Sequence, residues 1–311
     1  MRTIPALAVS AVLLASLTAC TGGAFGASCT PFAPAGAASA LVKAEGAIGS
    51  APTVDFPTPI VGDGIEAQAI TIGDGAQVRG GDTVAIKYSL YNGATGGGIG
   101  SSGYAHAGDF FTLGASNAND IVSDSLECAT VGSRIAIVAS GAVAHGGQGD
   151  MAAGVGPDDS IVYIIDVVDA FPGHASGALQ TPVTGMPAVV TAPNGAPGIT
   201  VPRIPAPTEL QVAELQVGDG DVLAEGDRLL MKYTAVAWET GRVVASTWSD
   251  GQSTFVTLDD EGGLPAGVVE GLIGKTVNSQ VLIVVPRGEG GSPDSTLVYV
   301  IDLLGVVQPA N

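Results

Sequence analysis

The stretch "GDGAQVRGGDTVAIKY" at residues 73–88 returns 145 residues later as "GDGDVLAEGDRLLMKY" at residues 218–233. The Gly-Asp steps favour turns, and the residues after them alternate between apolar and less apolar side chains, as in a half-buried strand. This alternation places Tyr88 and Tyr233 on the apolar face of their strands. The sequence therefore predicts a duplicated unit with one tyrosine directed toward the core of each copy.

Each copy also ends in a strong strand pattern, "SIVYIIDVV" at 160–168 and "STLVYVIDLL" at 295–304, in which Tyr and Asp recur at an offset of 136. The preceding strands, "VGSRIAIV" at 131–138 and "VNSQVLIV" at 277–284, recur at an offset of 146. The difference between these offsets means that the second copy is ten residues shorter in the connection before its last strand.

Helices are predicted only at residues 120–129 and 262–272, because 46 glycines and 19 prolines favour turns over long helices. The predicted fold class is α+β, with two similar units. In each unit a curved antiparallel β-sheet wraps around one short helix.

The first residues predict export from the cytoplasm. Arg2 precedes an apolar stretch that is too short to span a membrane, as in a signal peptide at residues 1–19. The ending Leu-Thr-Ala-Cys resembles a bacterial lipobox, which implies lipid attachment at Cys20 and a lipid anchor on the outer face of the cell membrane. A free cysteine after an ordinary signal peptide is the alternative.

The charge balance limits the partners. Eleven basic and 30 acidic residues give a net charge of -19, which disfavours nucleic acid and anionic headgroups. The lipid bilayer is therefore expected as a partner only through the N-terminal anchor. No cofactor is implied, and no metal site is predicted, because His106 and His174 lack partners at metal-ligand spacing.

If Cys20 carries lipid, two of the three cysteines, Cys29 and Cys128, remain. In an exported chain this predicts a disulfide between Cys29 and Cys128, with two unrelated thiols as the alternative.

The domain boundaries follow from composition. Residues 20–51 are rich in Gly, Ala, Ser and Pro and predict a flexible tether. Two repeats follow at 52–171 and 197–307, separated by a linker at 172–196. The second repeat contains the shortened connection.

The order of motifs resembles the FKBP family of peptidyl-prolyl cis-trans isomerases across roughly 220 residues. The second repeat carries "KYTA", "TGRVVAST", "TFVTL", "LPAGVVEGLIGKTV" and "STLVYVIDLL". The first carries "KYSLYNG", "GIGSS", "FFTLG", "SLECATVGSR", "VAHG" and "SIVYIIDVV". The resemblance implies two FKBP-like domains and proline-containing polypeptides as substrates.

The resemblance also implies the residues that line each site, from the first long strand, the hairpin, the helix and the last strand. These positions are Tyr88, Ile99, Val122, His145 and Tyr163 in the first repeat, and Tyr233, Val244, Val268 and Tyr299 in the second, with Leu264 on the approach to the helix.

Both repeats depart from the family pattern. The family's hairpin aspartate is Gly100 or Ala245, and its floor tryptophan is Val122 or Val268. The loop tyrosine is His145 in the first repeat and falls within the ten-residue deletion in the second. A site that has lost an indole has lost a large aromatic surface, so weak isomerase activity is expected.

Each candidate also has a structural interpretation. The tyrosines are equally consistent with core residues whose hydroxyls are hydrogen-bonded, and His145 is consistent with a solvated loop. Gly98, Gly100 and Gly103 match a dinucleotide motif by chance, since they lie in a hairpin. The run at 259–261 is consistent with a solvated turn or weak calcium binding.

The sequence is consistent with three functions. The chain is expected to be an exported isomerase that assists the folding of extracytoplasmic proteins. The alternatives are a non-catalytic module that binds peptides or acts as a chaperone, and a purely structural surface lipoprotein.

Overall fold

A computed structural model describes residue 29 and residues 33–116, 119–259, 261–288 and 294–307. Pro31–Asn311 form one compact unit; in the other, Met1–Thr30, only Cys29 is described. The predicted signal peptide and Cys20 lie outside the described residues. Within the described ranges, no helix is long and apolar enough to cross a membrane.

The first half of the chain contains one large antiparallel sheet with the order β3-β7-β8-β4-β5, and β6 also pairs with β4. A separate hairpin, β1–β2, precedes it. The elements are β1 Lys43–Glu45, β2 Thr53–Asp55, β3 Ile65–Thr71, β4 Thr83–Asn92, β5 Gly98–Ser101, β6 Asp109–Thr112, α1 Asp120–Leu126, β7 Arg134–Ala139, α2 Gly141–His145 and β8 Ile161–Phe171.

The second half contains a sheet with the order β9-β12-β16-β17-β13-β14, and β15 also pairs with β13. A hairpin again precedes its main strands. The elements are β9 Ala178–Leu179, β10 Ala188–Thr191, β11 Pro197–Thr200, β12 Gln211–Val217, β13 Arg228–Ala237, β14 Val243–Ser246, β15 Thr254–Thr257, α3 Ala266–Leu272, β16 Gln280–Val285 and β17 Leu297–Val306.

The two sheets share their strand order and register. Tyr88 lies opposite Ile165, and Tyr233 lies opposite Ile301. Each long strand has a register shift at the same place, before Ile86 and before Met231. The connection before the last strand spans positions 140–160 in the first sheet and 286–296 in the second, which confirms the ten-residue difference. Antiparallel sheets with short helices are the predicted α+β class.

One face of each sheet packs against a short helix. Val122 and Leu126 of α1 join Ile86 and Ile137 in one apolar cluster. In the second sheet the equivalent cluster contains Val268 and Leu272 of α3. Both helices begin and end inside the windows that the sequence predicts. The third helix, α2, is not predicted, because five residues are too short to show a helical period.

The opposite face of each sheet is also covered, which the sequence analysis did not predict. Val42, which directly follows a 3₁₀ helix at Ser39–Leu41, and Ala44 of β1 are buried against β7 and β8. The carboxylate of Glu66 accepts hydrogen bonds from the backbone N–H groups of Ala38 and Ser39, at 2.8 and 3.0 Å. Residues 33–51 are therefore packed on the sheet, and the predicted tether at 20–51 is wrong over this part.

The predicted linker at 172–196 is likewise partly regular structure. It contains β9 at the edge of the second sheet, and β10, which pairs with β11. Val189 and Ile199 of this hairpin pack against Val284 and Val300 on the outer face of the second sheet. The apolar residues among the Gly and Pro of this segment find a buried surface there, so the segment does not behave as a free linker.

Candidate functional site

The first candidate site, defined here by Tyr88, Val122 and Tyr163, lies where three elements meet. Tyr88 comes from β4, Tyr163 from β8 and Val122 from α1. Val122 is buried, and both tyrosines are partly buried against the same apolar cluster. Asn119 caps α1, and its side-chain oxygen accepts a hydrogen bond from the backbone N–H of Val122. The strand register and the helix start thus fix this group.

The Tyr88 hydroxyl has a carboxylate partner from a strand that the sequence analysis did not consider. The carboxylate is that of Asp109, the first residue of β6, which pairs with Ile86, two residues before Tyr88 on β4. Burial raises the pKa of Tyr88 above its usual value, and the adjacent negative charge of Asp109 raises it further. The hydroxyl therefore stays protonated and acts as a neutral donor at physiological pH.

His106 lies beside this pair. One of its ring nitrogens is 3.8 Å from a carboxylate oxygen of Asp109. The ring nitrogen Nδ1 accepts a hydrogen bond from the backbone N–H of Gly108 at 3.1 Å, and Nε2 donates to the carbonyl of Ser102 at 2.6 Å. An Nδ1 that accepts a hydrogen bond carries no proton, so this pattern assigns the neutral Nε2–H tautomer to His106.

His145 is held in place by its own loop. Its Nδ1 accepts a hydrogen bond from the backbone N–H of Gly149, and its Nε2 is 2.9 Å from the carbonyl oxygen of Asp159. Both ring nitrogens are thus committed to the connection between β7 and β8. His145 orders the longer of the two connections, a role that the solvated-loop interpretation did not include.

The second candidate site is defined by Tyr233, Val268 and Tyr299. The two tyrosine rings are 6.4 Å apart between centroids. Tyr299 is only 7% exposed, and Val268 is fully buried. Burial, together with the neighbouring Tyr233, raises the pKa of Tyr299 to about 12. Ala245, Val256 and Leu264 pack around this group, so the second site is more closed than the first.

The two sites differ at the position of Asp109. Asp109 pairs with Ile86 in the first sheet, and Thr254 pairs with Met231 in the second. Because Ile86 and Met231 are equivalent positions, Thr254 occupies the place of Asp109. The second site therefore has a neutral hydroxyl where the first has a carboxylate.

The predicted hairpin residues lie at the margins of the sites. Val244 is 59% exposed, whereas its neighbour Ala245 faces Ala235 and packs against the second cluster. Ile99 is half-buried on β5, and the next residue, Gly100, lies opposite Leu90. The hairpin residues that pair with the long central strands here are therefore the small Gly100 and Ala245, and neither carries a carboxylate.

Three cavities lie away from both sites. Two, of about 430 and 750 Å³, border Trp238. A third, of about 400 Å³, borders Ala33 and Cys128. None of the residues that define the two candidate sites lines these three cavities. Binding at the tyrosines would therefore involve partly exposed surfaces of the clusters rather than any of these cavities.

Other predicted residues have local roles. Cys29 and Cys128 are both disulfide-bonded. Gly98 and Gly100 lie on β5, between two strands rather than before a helix. In the acidic run, the backbone N–H of Glu261 donates to the side chain of Asp259, as in a solvated turn.

Asp109 is the functional candidate that sequence reasoning missed. Its contact with Tyr88 depends on the pairing of β6 with β4, which a motif comparison does not reveal. A signal was nevertheless present: at an offset of 145 the first repeat begins its short strand with "DFF" and the second with "TFV". Aligning the repeats with each other exposes this difference.

The uncharged tyrosines suit a reaction that requires no nucleophile. An X-Pro amide rotates over a barrier of about 18–20 kcal/mol, because its planar form is stabilised by resonance. The twisted amide is less dipolar than the planar one, so an apolar surface favours it relative to water. Both sites offer aromatic and aliphatic walls of this kind, and the first adds a polar edge.

The comparisons with known proteins agree with this chemistry. A curated protein of Corynebacterium glutamicum, "Probable FK506-binding protein", is 32% identical over 116 residues, covering 35% of this chain and 96% of that protein. The FK506-binding protein of Streptomyces anulatus is 28% identical over 120 residues, with the same coverage. No protein-family model matches the chain.

Among solved structures, the three FKBP domains of wheat FKBP73 align with a TM-score of 0.34 at 18% identity, covering 78% of this chain and 95% of that one. An isomerase described as a putative FKBP12 of Mycobacterium tuberculosis aligns with a TM-score of 0.26 at 29% identity, covering 32% and 86%. By its identity to the curated corynebacterial protein over nearly the whole length of that protein, the chain belongs to the FK506-binding protein family.

Proposed function

We propose that this chain is a weak peptidyl-prolyl cis-trans isomerase that acts on proteins outside the cytoplasm, and that the first site is the more active of the two. Members of its family are peptidyl-prolyl cis-trans isomerases. The observation that supports the first site best is the group of Tyr88 and Tyr163 over Val122, partly open to solvent and with the Asp109 carboxylate at its edge.

Low activity follows from what the sites lack. Gly100 and Ala245 stand where the family pattern has an aspartate, and the floor positions on α1 and α3 are the valines 122 and 268. A valine offers much less surface than an aromatic ring for holding a proline ring. The twisted amide would therefore be stabilised less than in a site with an indole floor.

The two sheets support a division into two FKBP-like domains, at 52–171 and 197–307. They share strand order, register and the position of the strand irregularity. In this proposal the hairpins β1–β2 and β10–β11 extend each domain toward the N-terminus. The chain is exported, and lipid on Cys20 retains it at the outer face of the membrane.

A second candidate function is peptide binding without turnover, and the second site favours it. Tyr299 is almost fully buried, Val268 is fully buried, and the connection that follows β16 is ten residues shorter than its counterpart. Such a site retains apolar walls but has little room to enclose an amide. The second domain would then hold an unfolded client while the first acts on it.

The test is a prolyl isomerisation assay on the full chain, with Tyr163→Leu and Tyr299→Leu as matched variants. Leucine keeps each position apolar, so circular dichroism should verify that both variants fold. We expect weak turnover by the wild type, a loss of at least fivefold in Tyr163→Leu, and a smaller loss in Tyr299→Leu. Wild-type turnover indistinguishable from the uncatalysed rate would reject the isomerase proposal and leave peptide binding.

The location is tested separately, by mass spectrometry of the membrane-bound protein and of a Cys20→Ser variant. The proposal predicts lipid on Cys20 in the wild type and release of the variant from the membrane. Wild-type protein with an unmodified Cys20 would reject the lipid anchor.

A further inference from the structure

Asp109 gives the first site a negative edge that the second site does not have. Its carboxylate is about half exposed, and it lies beside Tyr88 because Asp109 pairs with Ile86, two residues before Tyr88 on β4. We propose that Asp109 is a specificity-determining residue, which makes the first site prefer proline-containing segments with a lysine or arginine next to the proline. This inference rests on the proposed function, because it concerns which polypeptides the first site takes.

The charge of Asp109 is available to a ligand. A carboxylate has about four acceptor positions on its two oxygens, and the Asp109 side chain is about half exposed. The ring of His106 lies 3.8 Å away, but its two nitrogens are hydrogen-bonded to the backbone of Gly108 and Ser102. The carboxylate is therefore accessible to a cationic side chain of a ligand.

The position of the charge suits a residue that adjoins the proline. Tyr88 is one of the two tyrosines of the first site, so the carboxylate beside it lies at the edge of the surface that would take the proline ring. The side chain of a neighbouring lysine or arginine can reach such an edge while its charged end remains hydrated. The net charge of -19 adds a general attraction for basic segments.

The equivalent residue, Thr254, provides an internal control. It occupies the same register position on β15 and carries no charge. The second site should therefore not distinguish basic from neutral residues beside the proline. The two sites would then bind different segments of the same client.

The experiment measures binding of three dye-labelled peptides, Ala-Lys-Pro-Phe, Ala-Leu-Pro-Phe and Ala-Glu-Pro-Phe, to the full chain. The variants are Asp109→Asn, which keeps the size of the side chain but removes its charge, and Thr254→Asp, which adds the charge to the second site. Asp74→Asn changes the net charge equally at an exposed position and serves as the control. The isomerase assay is run on the same samples.

For the wild type we expect a two- to fivefold tighter Kd for the lysine peptide than for the leucine peptide, as is typical of a partly exposed ion pair. The preference should disappear in Asp109→Asn, persist in Asp74→Asn, increase in Thr254→Asp and weaken at 0.5 M salt. An equal preference in wild type and Asp109→Asn would overturn the proposal.

The outcomes separate this inference from the proposed function. Equal affinity for the lysine and leucine peptides with measurable turnover would overturn the role of Asp109 and leave the isomerase intact. A lysine preference that depends on Asp109, without turnover, would support the inference and favour peptide binding as the function. Binding of none of the peptides would reject both.

Discussion

Arg134 and Asp166 form a buried two-pronged ion pair across β7 and β8, with Nε 2.6 Å from one carboxylate oxygen and Nη2 2.7 Å from the other. Each side chain is 1% exposed. The guanidinium also donates to the carbonyls of Gly46 and Ala47 in the turn after β1, and the Asp166 carboxylate accepts from the N–H of Gly49. The pair therefore joins the covering hairpin to the sheet.

Replacing Arg134 with Gln should destabilise the first sheet by about 3–5 kcal/mol, because Asp166 would remain buried without a counter-charge. Gln is the residue at the equivalent position of the second sheet. The measurement is amide hydrogen exchange of β7 and β8, where protection should fall by at least a hundredfold.

The double variant Arg134→Gln with Asp166→Asn removes both charges and should recover much of the lost protection. If the double variant exchanged as fast as the single one, the stabilising contribution would come from the hydrogen bonds to the turn and not from the ion pair.

The second sheet has Gln280 and Asp302 at these positions, and the Gln280 amide donates to the Asp302 carboxylate at 2.8 Å. Burial raises the pKa of Asp302 to about 6, although hydrogen bonds from Ala175 and Gln280 oppose the rise. A carboxyl with a raised folded-state pKa contributes stability that is complete below the unfolded value of about 4. That stability is lost as the pH rises through 6.

We therefore expect the unfolding free energy of the wild type, relative to Asp302→Asn, to fall by about 3 kcal/mol between pH 4 and pH 7. Urea unfolding followed by tryptophan fluorescence is a suitable measurement, since Trp238 and Trp248 both belong to the second repeat. Comparing how the unfolding free energy of each protein changes with pH removes any pH-independent cost of the hydrogen bonds altered by the substitution. A parallel pH dependence in both proteins would show that Asp302 titrates normally, and Asp74→Asn should match the wild type.

Replacing His145 with Ala should loosen the connection between β7 and β8. Both ring nitrogens hydrogen-bond to this connection, and each bond contributes about 1 kcal/mol. Amide exchange at Gly149 and Asp150 should accelerate about tenfold or more, while β8 remains protected. His174→Ala is the matched control, since the His174 ring bonds instead to the carbonyl of Ala175. Unchanged exchange in His145→Ala would mean that other contacts order this loop.

Phe110 and Phe255, which occupy equivalent positions in the two repeats, pack against each other with ring centroids 4.6 Å apart. A double-mutant cycle with alanine should give a coupling of about 0.5–1.5 kcal/mol in the free energy of unfolding. Phe56 contacts Tyr91 on the outer side of the first sheet, so Phe56→Ala combined with Phe255→Ala should be additive. If the effects of the Phe110 and Phe255 substitutions on the free energy of unfolding simply added, the contact between the two rings would not contribute to stability.

Much of the sheet architecture could be predicted from sequence because the repeat appears twice. The alternation after each Gly-Asp turn places Tyr88 and Tyr233 on the helix-facing side, where the structure has them. The outer cover was missed, although "SIVYIIDVV" is nearly continuous in apolar residues, as expected of a strand buried on both faces. Composition predicted a tether instead, since Gly and Ala are common in tethers and also in tightly packed hairpins.

The candidate site was less predictable than the sheets. Motif spacing identified the tyrosines and the helix valines, which depend on local register. It did not identify Asp109, whose importance arises only when β6 pairs beside β4 and brings a carboxylate to the Tyr88 hydroxyl. Contacts between strands that do not follow each other directly in sequence are set by tertiary packing.

In each half of the chain, the hairpin that covers the outer face precedes the main strands on which it packs, β1–β2 before β3 and β10–β11 before β12. A polypeptide is synthesised from its N-terminus, so each covering hairpin has already been synthesised when the strands on which it packs emerge. The apolar outer face of either sheet can therefore be covered as soon as the sheet forms, without a later part of the chain.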